Sequence, residues 1–115
     1  GHVWLVEIVG ELADRARINV EKTGYDDRVT VIHGDASEGL PESGPYDVIT
    51  VASAAPSVPS PLKEQLALGG MLLIPVGGLG FYQELRRIRK SIDGRIFEES
   101  LFPSVASERF LARYL

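Results

Sequence analysis

The sequence contains no cysteine, which excludes disulfide bonds and metal sites with thiolate ligands. It has only two histidines, His2 and His33, and neither is spaced with acidic residues in a way that suggests a metal site. No apolar run is long enough to cross a bilayer, and the first residues do not have the pattern of a signal peptide. We therefore expect a soluble, cytoplasmic protein with no metal site and no membrane partner.

Positive charge is also scarce. Twelve Lys and Arg residues stand against 16 Asp and Glu residues, and the net charge of -4 argues against a surface for nucleic acid. The 115 residues, 44% of them hydrophobic, are enough for one folded domain with its own core.

Apolar runs alternate with amphipathic segments along the first two thirds of the chain. The runs predict strands over Val3–Glu7, Val29–His33, Tyr46–Ala52 and Met71–Val76. Helices are predicted over Gly10–Thr23, ending at Gly24, and over Leu62–Leu68, closed by Gly69-Gly70. This alternation predicts an α/β fold in which the four strands share one parallel sheet with helices on its faces.

The last third of the chain has two conflicting patterns. Phe81, Leu85, Ile88 and Ile92 have helical spacing, which alone favours a helix over Phe81–Ser91. Asp93-Gly94, between two β-capable runs, instead indicates a hairpin with a return strand over Arg95–Phe102. A weak helical stripe follows over Glu108–Leu115.

Acidic residues follow the first two predicted strands. Glu7 ends the first strand before a helix, a position from which a carboxylate accepts hydrogen bonds from ribose hydroxyls. Asp35 follows the second strand and can accept a hydrogen bond from an exocyclic amine such as that of adenine. Each acid alone has an ordinary alternative, a solvated strand end or a turn aspartate. At the ends of neighbouring strands, the two together predict a nucleoside pocket.

Other noticeable residues have simpler interpretations. Gly77–Gly80 lacks the third glycine of a dinucleotide loop and the lysine of a P-loop, so it predicts a turn. The basic cluster Arg86–Lys90 is flanked by acids and predicts a solvated face. His33 is expected to pack at a strand end, and Trp4 is expected to fill the core.

Several segments in this order resemble the protein-L-isoaspartate O-methyltransferases, S-adenosylmethionine-dependent enzymes of the Rossmann-like class. The matching segments are Gly1–Ile8, Gly34–Ala36, Pro45–Ile49, Ala54–Pro56, Gly69-Gly70 with Leu73–Gly77, and Asp93-Gly94. The resemblance covers roughly Gly1 to Leu101, and the Ala-Ala-Pro and Gly-Gly-x-Leu-x-Ile-Pro-Val-Gly segments are its most specific parts.

The resemblance implies a fold: a mostly parallel Rossmann-like methyltransferase sheet with a C-terminal antiparallel hairpin. Tyr82–Ser91 and Arg95–Phe102 are then strands. Residues 1–115 are then a partial methyltransferase domain, from the second strand of the fold to the C-terminus.

The resemblance also implies a reaction, methyl transfer from S-adenosylmethionine to the carboxylate of L-isoaspartyl residues in damaged proteins, which is a repair reaction. The implied cofactor-binding residues are Glu7, Ile8, Gly34, Asp35 and Ala36, and the implied substrate-binding residues are Ala54, Ala55 and Pro56. No catalytic acid or base is assigned, because the carboxylate is already a nucleophile and the sulfonium is already activated.

Two departures from the family keep other interpretations open. Only Gly1 and His2 precede the first strand, so these 115 residues lack the family's glycine-rich loop and its upstream substrate loop. Ser104–Leu115 also matches the family's C-terminus poorly. We expect this chain alone to be inactive. The alternatives are an inert α/β module that acts by association, including a homo-oligomer formed through exposed sheet edges, and a related transferase that methylates a small molecule.

Overall fold

The computed structural model describes residues 1–77 and 83–102, which fall into two compact units that divide between Glu38 and Gly39. The first unit contains strand β1 (Val3–Glu7), helix α1 (Gly10–Thr23), strand β2 (Val29–His33) and a 3-10 turn at Ala36–Glu38. Strands β1 and β2 pair in parallel, from Val3 opposite Val29 to Glu7 opposite His33. A parallel pair needs a crossover, and α1 supplies it.

Helix α1 has the bounds that the sequence predicts. Its buried residue is Ala13, and a small side chain there lets the helix lie close to the strands. Gly24 ends the helix in the left-handed region, at φ 79°. The N–H of Tyr25 donates to the carbonyl of Val20, and the N–H of Gly24 donates to that of Glu21, which is the Schellman pattern of a helix C-terminus.

The second unit contains a four-stranded sheet. Its elements are a 3-10 turn at Pro41–Ser43, β3 (Tyr46–Thr50), α2 (Ser60–Glu64), β4 (Leu66–Gly77), β5 (Gln83–Lys90) and β6 (Ile96–Phe102). The strands lie in the order β3-β4-β5-β6, with β3 parallel to β4 and the other two pairs antiparallel. The antiparallel hairpin implied by the resemblance is therefore confirmed, as is the α/β fold class.

The helix favoured by local spacing in the disputed segment is wrong, because Gln83–Lys90 is a strand. Alternate residues of β5 point to opposite faces of the sheet. Ile88 is fully buried opposite Leu72, whereas Arg87 on the other face pairs with Glu99, with 2.7 Å between Nε and Oε1. Burial of Ile88 together with cross-strand ion pairs favours the extended conformation, and neither is visible in local spacing.

The hydrophobic core of the second unit lies on the face of its sheet that carries Ile88. Five buried side chains form it, with further partly buried side chains packed around them. The buried members are Leu62, Leu66, Leu72, Ile74 and Ile88, and the surrounding ones are Ile49, Val51, Ala55, Val58 and Val76.

The sequence predicts that β1, β2, β3 and β4 share one parallel sheet, and this prediction is wrong. The strands lie in two sheets, β1-β2 and β3-β4-β5-β6. Among the described residues, β1 and β3 each pair on one side only, and Val3, Leu5 and Val48 are 57%, 43% and 58% exposed. An apolar run indicates that a strand is suited to burial, but it does not specify which strand lies beside it.

The predicted helix Leu62–Leu68 is too long at its C-terminal end. Helix α2 ends at Glu64, and Leu66 already pairs with Tyr46 in the sheet. Gly69 and Gly70, expected to close the helix, instead form a bulge inside β4. The bulge needs both glycines: Gly69 has a φ of 82°, and a Cβ at Gly70 would lie 2.8 Å from the carbonyl oxygen of Ala67.

Two further expectations concern Trp4 and the basic cluster Arg86–Lys90. Trp4 does not fill a core: it is half-buried, and its ring centroid lies 4.4 Å from that of His2. The basic cluster of β5 is paired with acids on the strands, since Arg86 contacts Glu98 at 3.2 Å. The predicted turn at residues 78–80 and the segment 104–115 lie outside the described residues.

Candidate functional site

Glu7 lies at the carboxyl end of β1. The N–H of Gly34 donates to the carbonyl of Glu7 at 2.9 Å, which continues the β1-β2 pairing for one residue beyond His33. This bond places Glu7 beside Gly34-Asp35. The carboxylate of the half-buried Glu7 accepts the N–H of Val9 through Oε1 at 3.2 Å, and the side chain of Val9, the N-cap residue of α1, makes no capping hydrogen bond. The carboxylate therefore lies where the first N–H groups of a helix favour negative charge.

Asp35 follows β2 and is exposed. Its Oδ1 accepts two hydrogen bonds from Ser37, one from the backbone N–H at 2.9 Å and one from the hydroxyl at 2.8 Å. These two bonds, the backbone bond foremost, hold the pKa of Asp35 below its ordinary value. Asp35 is therefore ionised at neutral pH, in an orientation set by Ser37.

The structure brings the predicted cofactor residues together at one edge of the first unit. Ile8 and Ala36 are exposed and Gly34 is partly buried beside the two acids. Among the described residues, Oε2 of Glu7 and Oδ2 of Asp35 accept no side-chain hydrogen bond. Ionised carboxylates only accept hydrogen bonds, so this edge suits a ligand with hydroxyl and amine donors. A nucleoside carries both.

The predicted substrate residues lie in the second unit, after the carboxyl end of β3. Ala55 forms a parallel bridge with Val76: its N–H donates to Pro75 at 3.0 Å, and its carbonyl accepts the N–H of Gly77 at 2.9 Å. Ala54 and Pro56, on either side of this anchored residue, are exposed. The segment is thus a fixed backbone with small side chains at the carboxyl ends of β3 and β4.

Three residues that support the site were not predicted in these roles. Ser37 orients Asp35, the N–H of Val9 binds Glu7, and His33 binds the carbonyl of Ile8 with 2.9 Å between Nε2 and O. A serine two residues after an aspartate is a recognisable turn pattern, so Ser37 could have been found from the sequence. The contact of His33 depends on the β1-β2 register and has no local signal.

A groove of about 1160 Å³ lies elsewhere in the second unit, along Asp47 and Val48 of β3, Met71 of β4, and Ile92 and Phe97 near the β5-β6 turn. It contains none of the predicted site residues. Ligands of α/β sheets bind at the carboxyl ends of parallel strands, so we regard the edge with Glu7 and Asp35 as the candidate site.

Two further features are absent from residues 1–77 and 83–102. No three His, Asp or Glu side chains there form a group that could hold a metal ion. No helix in these ranges is long and apolar enough to cross a membrane.

Parallel β/α pairing, acids at the carboxyl ends of the first two strands, and a C-terminal antiparallel hairpin are together features of the Rossmann-like methyltransferases. The family model for protein-L-isoaspartate(D-aspartate) O-methyltransferase matches residues 1–105. The chain therefore belongs to the protein-L-isoaspartate O-methyltransferase family.

Individual relatives agree with this assignment. A protein-L-isoaspartate O-methyltransferase from Hyperthermus butylicus is 48% identical over 103 residues, which are 90% of this chain and 42% of that protein. A solved protein-L-isoaspartate O-methyltransferase is 30% identical with a TM-score of 0.80, over 90% of this chain and 32% of that one. A Plasmodium falciparum structure assigned to the same enzyme, in complex with S-adenosyl-L-homocysteine, is 25% identical with a TM-score of 0.74, over 89% of this chain and 49% of that one.

The chain spans less than half the length of the curated relatives it matches, with 42%, 43% and 48% of three of them covered.

Proposed function

We propose that a full-length protein containing this chain transfers a methyl group from S-adenosylmethionine to the side-chain carboxylate of L-isoaspartyl residues in damaged proteins or peptides. The observation that carries the proposal is the placement of Glu7 and Asp35 at the paired ends of β1 and β2, in a chain of this family. The main-chain bond from Gly34 to Glu7 keeps these acids side by side. They are the hydrogen-bond acceptors that a ribose and an adenine amine require.

The residues of the first unit hold the cofactor in this proposal. Glu7 binds the ribose hydroxyls through its carboxylate, and Asp35 with Ala36 lies at the adenine. Ile8 and Gly34 line the space between them. When bound, S-adenosylmethionine supplies a methyl group already activated on a sulfonium. The chain therefore needs to bind and orient rather than to move a proton.

The second unit takes part through Ala54, Ala55 and Pro56, which border the methyl acceptor. Main-chain bonds through both the N–H and the carbonyl of Ala55 anchor this segment to β4. The small side chains leave room for an acceptor carboxylate. That carboxylate is a nucleophile at neutral pH, and no residue of this chain is assigned as a general base.

The test is methyl transfer by a full-length protein that contains residues 1–115. Labelled S-adenosylmethionine is supplied with a peptide that contains one L-isoaspartyl residue. The matched control is the same peptide with an ordinary L-aspartyl residue. The proposal predicts label on the isoaspartyl peptide alone. Equal labelling of both peptides, or of neither, contradicts it.

A second proposal is association of the 115-residue chain with itself. Strands β1 and β3 each pair on one side only among the described residues, and both have exposed apolar side chains. Val3 on β1 and Val48 on β3 are both more than half exposed. Unpaired strand edges are templates for pairing with another chain.

The cytoplasmic location expected from the sequence remains a prediction.

A further inference from the structure

The turn that follows Glu7 has few contacts of its own. Ile8 and Val9 are 64% and 46% exposed, so hydrophobic burial does little to fix their backbone. The start of α1 at Gly10 has no side-chain cap from its N-cap residue, Val9. Whatever holds this turn therefore also decides where the carboxylate of Glu7 points.

The carbonyl of Val9 accepts the first helical bond of α1, from the N–H of Ala13 at 3.0 Å, and two further hydrogen bonds to side chains hold the turn. The N–H of Val9 donates to Oε1 of Glu7 at 3.2 Å, and Nε2 of His33 lies 2.9 Å from the carbonyl oxygen of Ile8. The imidazole also packs against Gly10, where an added Cβ would lie 3.5 Å from Cε1 of His33. The bond between Val9 and Glu7 is the longer of the two and involves the Glu7 carboxylate. The bond between His33 and Ile8 is shorter and comes from the neighbouring strand, β2.

We propose that His33 is a positioning residue that holds the Ile8–Gly10 turn, and through it the carboxylate of Glu7, in the geometry that binds the ribose. This inference rests on the proposed function, because it assigns His33 a role in binding the cofactor of that reaction. A carbonyl oxygen only accepts, so Nε2 must carry the proton. Both the neutral Nε2–H tautomer and the imidazolium satisfy this condition.

The chain contains a matched control for this role. His2, which precedes β1, also forms a hydrogen bond with β2, with 2.7 Å between Nε2 and the hydroxyl of Thr30. His2 lies beside the amino end of β1, whereas His33 lies opposite Glu7 at the carboxyl end. Both histidines are exposed. Loss of either histidine removes one hydrogen bond between β2 and a residue that flanks β1, but only His33 reaches the turn beside the site.

The experiment compares three variants of a full-length protein that contains this chain: His33→Ala, His33→Gln and His2→Ala. Calorimetry measures their affinity for S-adenosylhomocysteine. Loss of one hydrogen bond corresponds to roughly 2- to 10-fold weaker binding, which we expect for His33→Ala. Glutamine places an N–H donor the same number of bonds from Cβ as Nε2, so His33→Gln is expected to bind within about 2-fold of wild type. His2→Ala is expected to bind like wild type.

Kinetics separate positioning from a general loss of structure. His33→Ala should raise the KM for S-adenosylmethionine and leave kcat and the KM for the peptide unchanged. A fall in kcat at unchanged KM overturns the proposal, as does equal weakening by His33→Ala and His2→Ala. If wild type does not bind S-adenosylhomocysteine, the proposed function fails. If wild type binds and His33→Ala binds equally well, only the positioning role fails.

A second measurement needs no cofactor. Hydrogen exchange at the Val9 amide of the 115-residue chain reports directly on the turn. It should be faster in His33→Ala than in wild type, with His2→Ala unchanged. Unchanged exchange in His33→Ala would contradict the role assigned to His33 even if the enzyme assays could not be made.

Discussion

Ser37 donates both its backbone N–H and its hydroxyl to a single oxygen of Asp35, at 2.9 and 2.8 Å. Among the described residues, the other carboxylate oxygen is left without a hydrogen bond. An exposed aspartate is thereby given a defined direction and a lowered pKa. If Asp35 binds the adenine amine, Ser37 sets the orientation of that contact before the cofactor arrives.

Ser37→Ala should raise the pKa of Asp35 part of the way toward its ordinary value, because it removes the hydroxyl bond and keeps the bond from the backbone N–H, which is the larger cause of the lowering. Since the folded-state pKa is depressed, the stability contributed by Asp35 is present above its unfolded-state pKa of about 3.9 and is lost as pH falls through the folded-state pKa. Carboxyl NMR titration measures the shift.

The control for this prediction is Ser91→Ala. The Ser91 hydroxyl is the main cause of the lowered pKa of Asp93 in the β5-β6 turn. This variant should raise the pKa of Asp93 and leave that of Asp35 unchanged. A Ser37→Ala variant whose Asp35 titrates as in wild type would show that the Ser37 hydroxyl does not lower the pKa of Asp35, which would leave the backbone N–H of residue 37 as the cause.

Glu7→Ala should weaken the binding of S-adenosylmethionine to a full-length protein by about 10- to 100-fold. Hydrogen bonds to a charged group contribute about 1.5–3 kcal/mol, and each 1.4 kcal/mol is about tenfold in affinity. Calorimetry is the measurement. Glu11→Ala, which removes an exposed acid from the first turn of α1, should have little effect. Unchanged affinity in Glu7→Ala would exclude a role of Glu7 in binding the ribose.

Ile88→Ala should lower the free energy of unfolding by about 2–5 kcal/mol, the range for truncating a buried isoleucine. Ile88 is fully buried among Leu72 and Ile74 in the core of the second unit. Ile92→Ala makes the same change at an 84% exposed position in the turn that follows β5 and should cost within about 0.5 kcal/mol. Urea unfolding of both variants measures the difference. Equal costs would contradict the placement of Ile88 in the core.

The 115-residue chain alone should bind S-adenosylmethionine weakly or not at all and should associate. In the proposed function Glu7 and Asp35 contact only the ribose and the adenine. Strands β1 and β3, which pair on one side only among the described residues, have exposed apolar residues. Equilibrium dialysis and light scattering test the two parts. Micromolar binding by a monomer would contradict both.

A variant locates the surface responsible for association. Val48→Lys introduces a charge on β3, a device that natural edge strands use against pairing, and should reduce the associated fraction. Ile18→Lys introduces the same charge at a half-exposed position on helix α1, outside the groove that Val48 lines, and should change association less. Equal effects would mean that association does not depend on β3.

The sequence by itself determined the elements whose signals are local. Helix α1 and strands β1 and β2 have the predicted bounds, because helical spacing, a C-cap glycine and β-branched apolar runs are local properties. The placement of Glu7 and Asp35 at neighbouring strand ends followed from the same alternation. For the hairpin over β5 and β6 the local signals conflicted, since Asp93-Gly94 indicated a turn between strands and the spacing over Phe81–Ser91 favoured a helix, and the resemblance to a family decided between them.

Only the tertiary structure decided how the elements pair. The division into two sheets, the bulge at Gly69-Gly70 and the early end of α2 at Glu64 depend on which strand lies beside β3 and β4. The contact between His33 and Ile8 joins residues 25 positions apart and depends on the register that places Glu7 opposite His33. Such contacts arise when distant segments of the chain meet, and local residue patterns carry no record of which segments will do so.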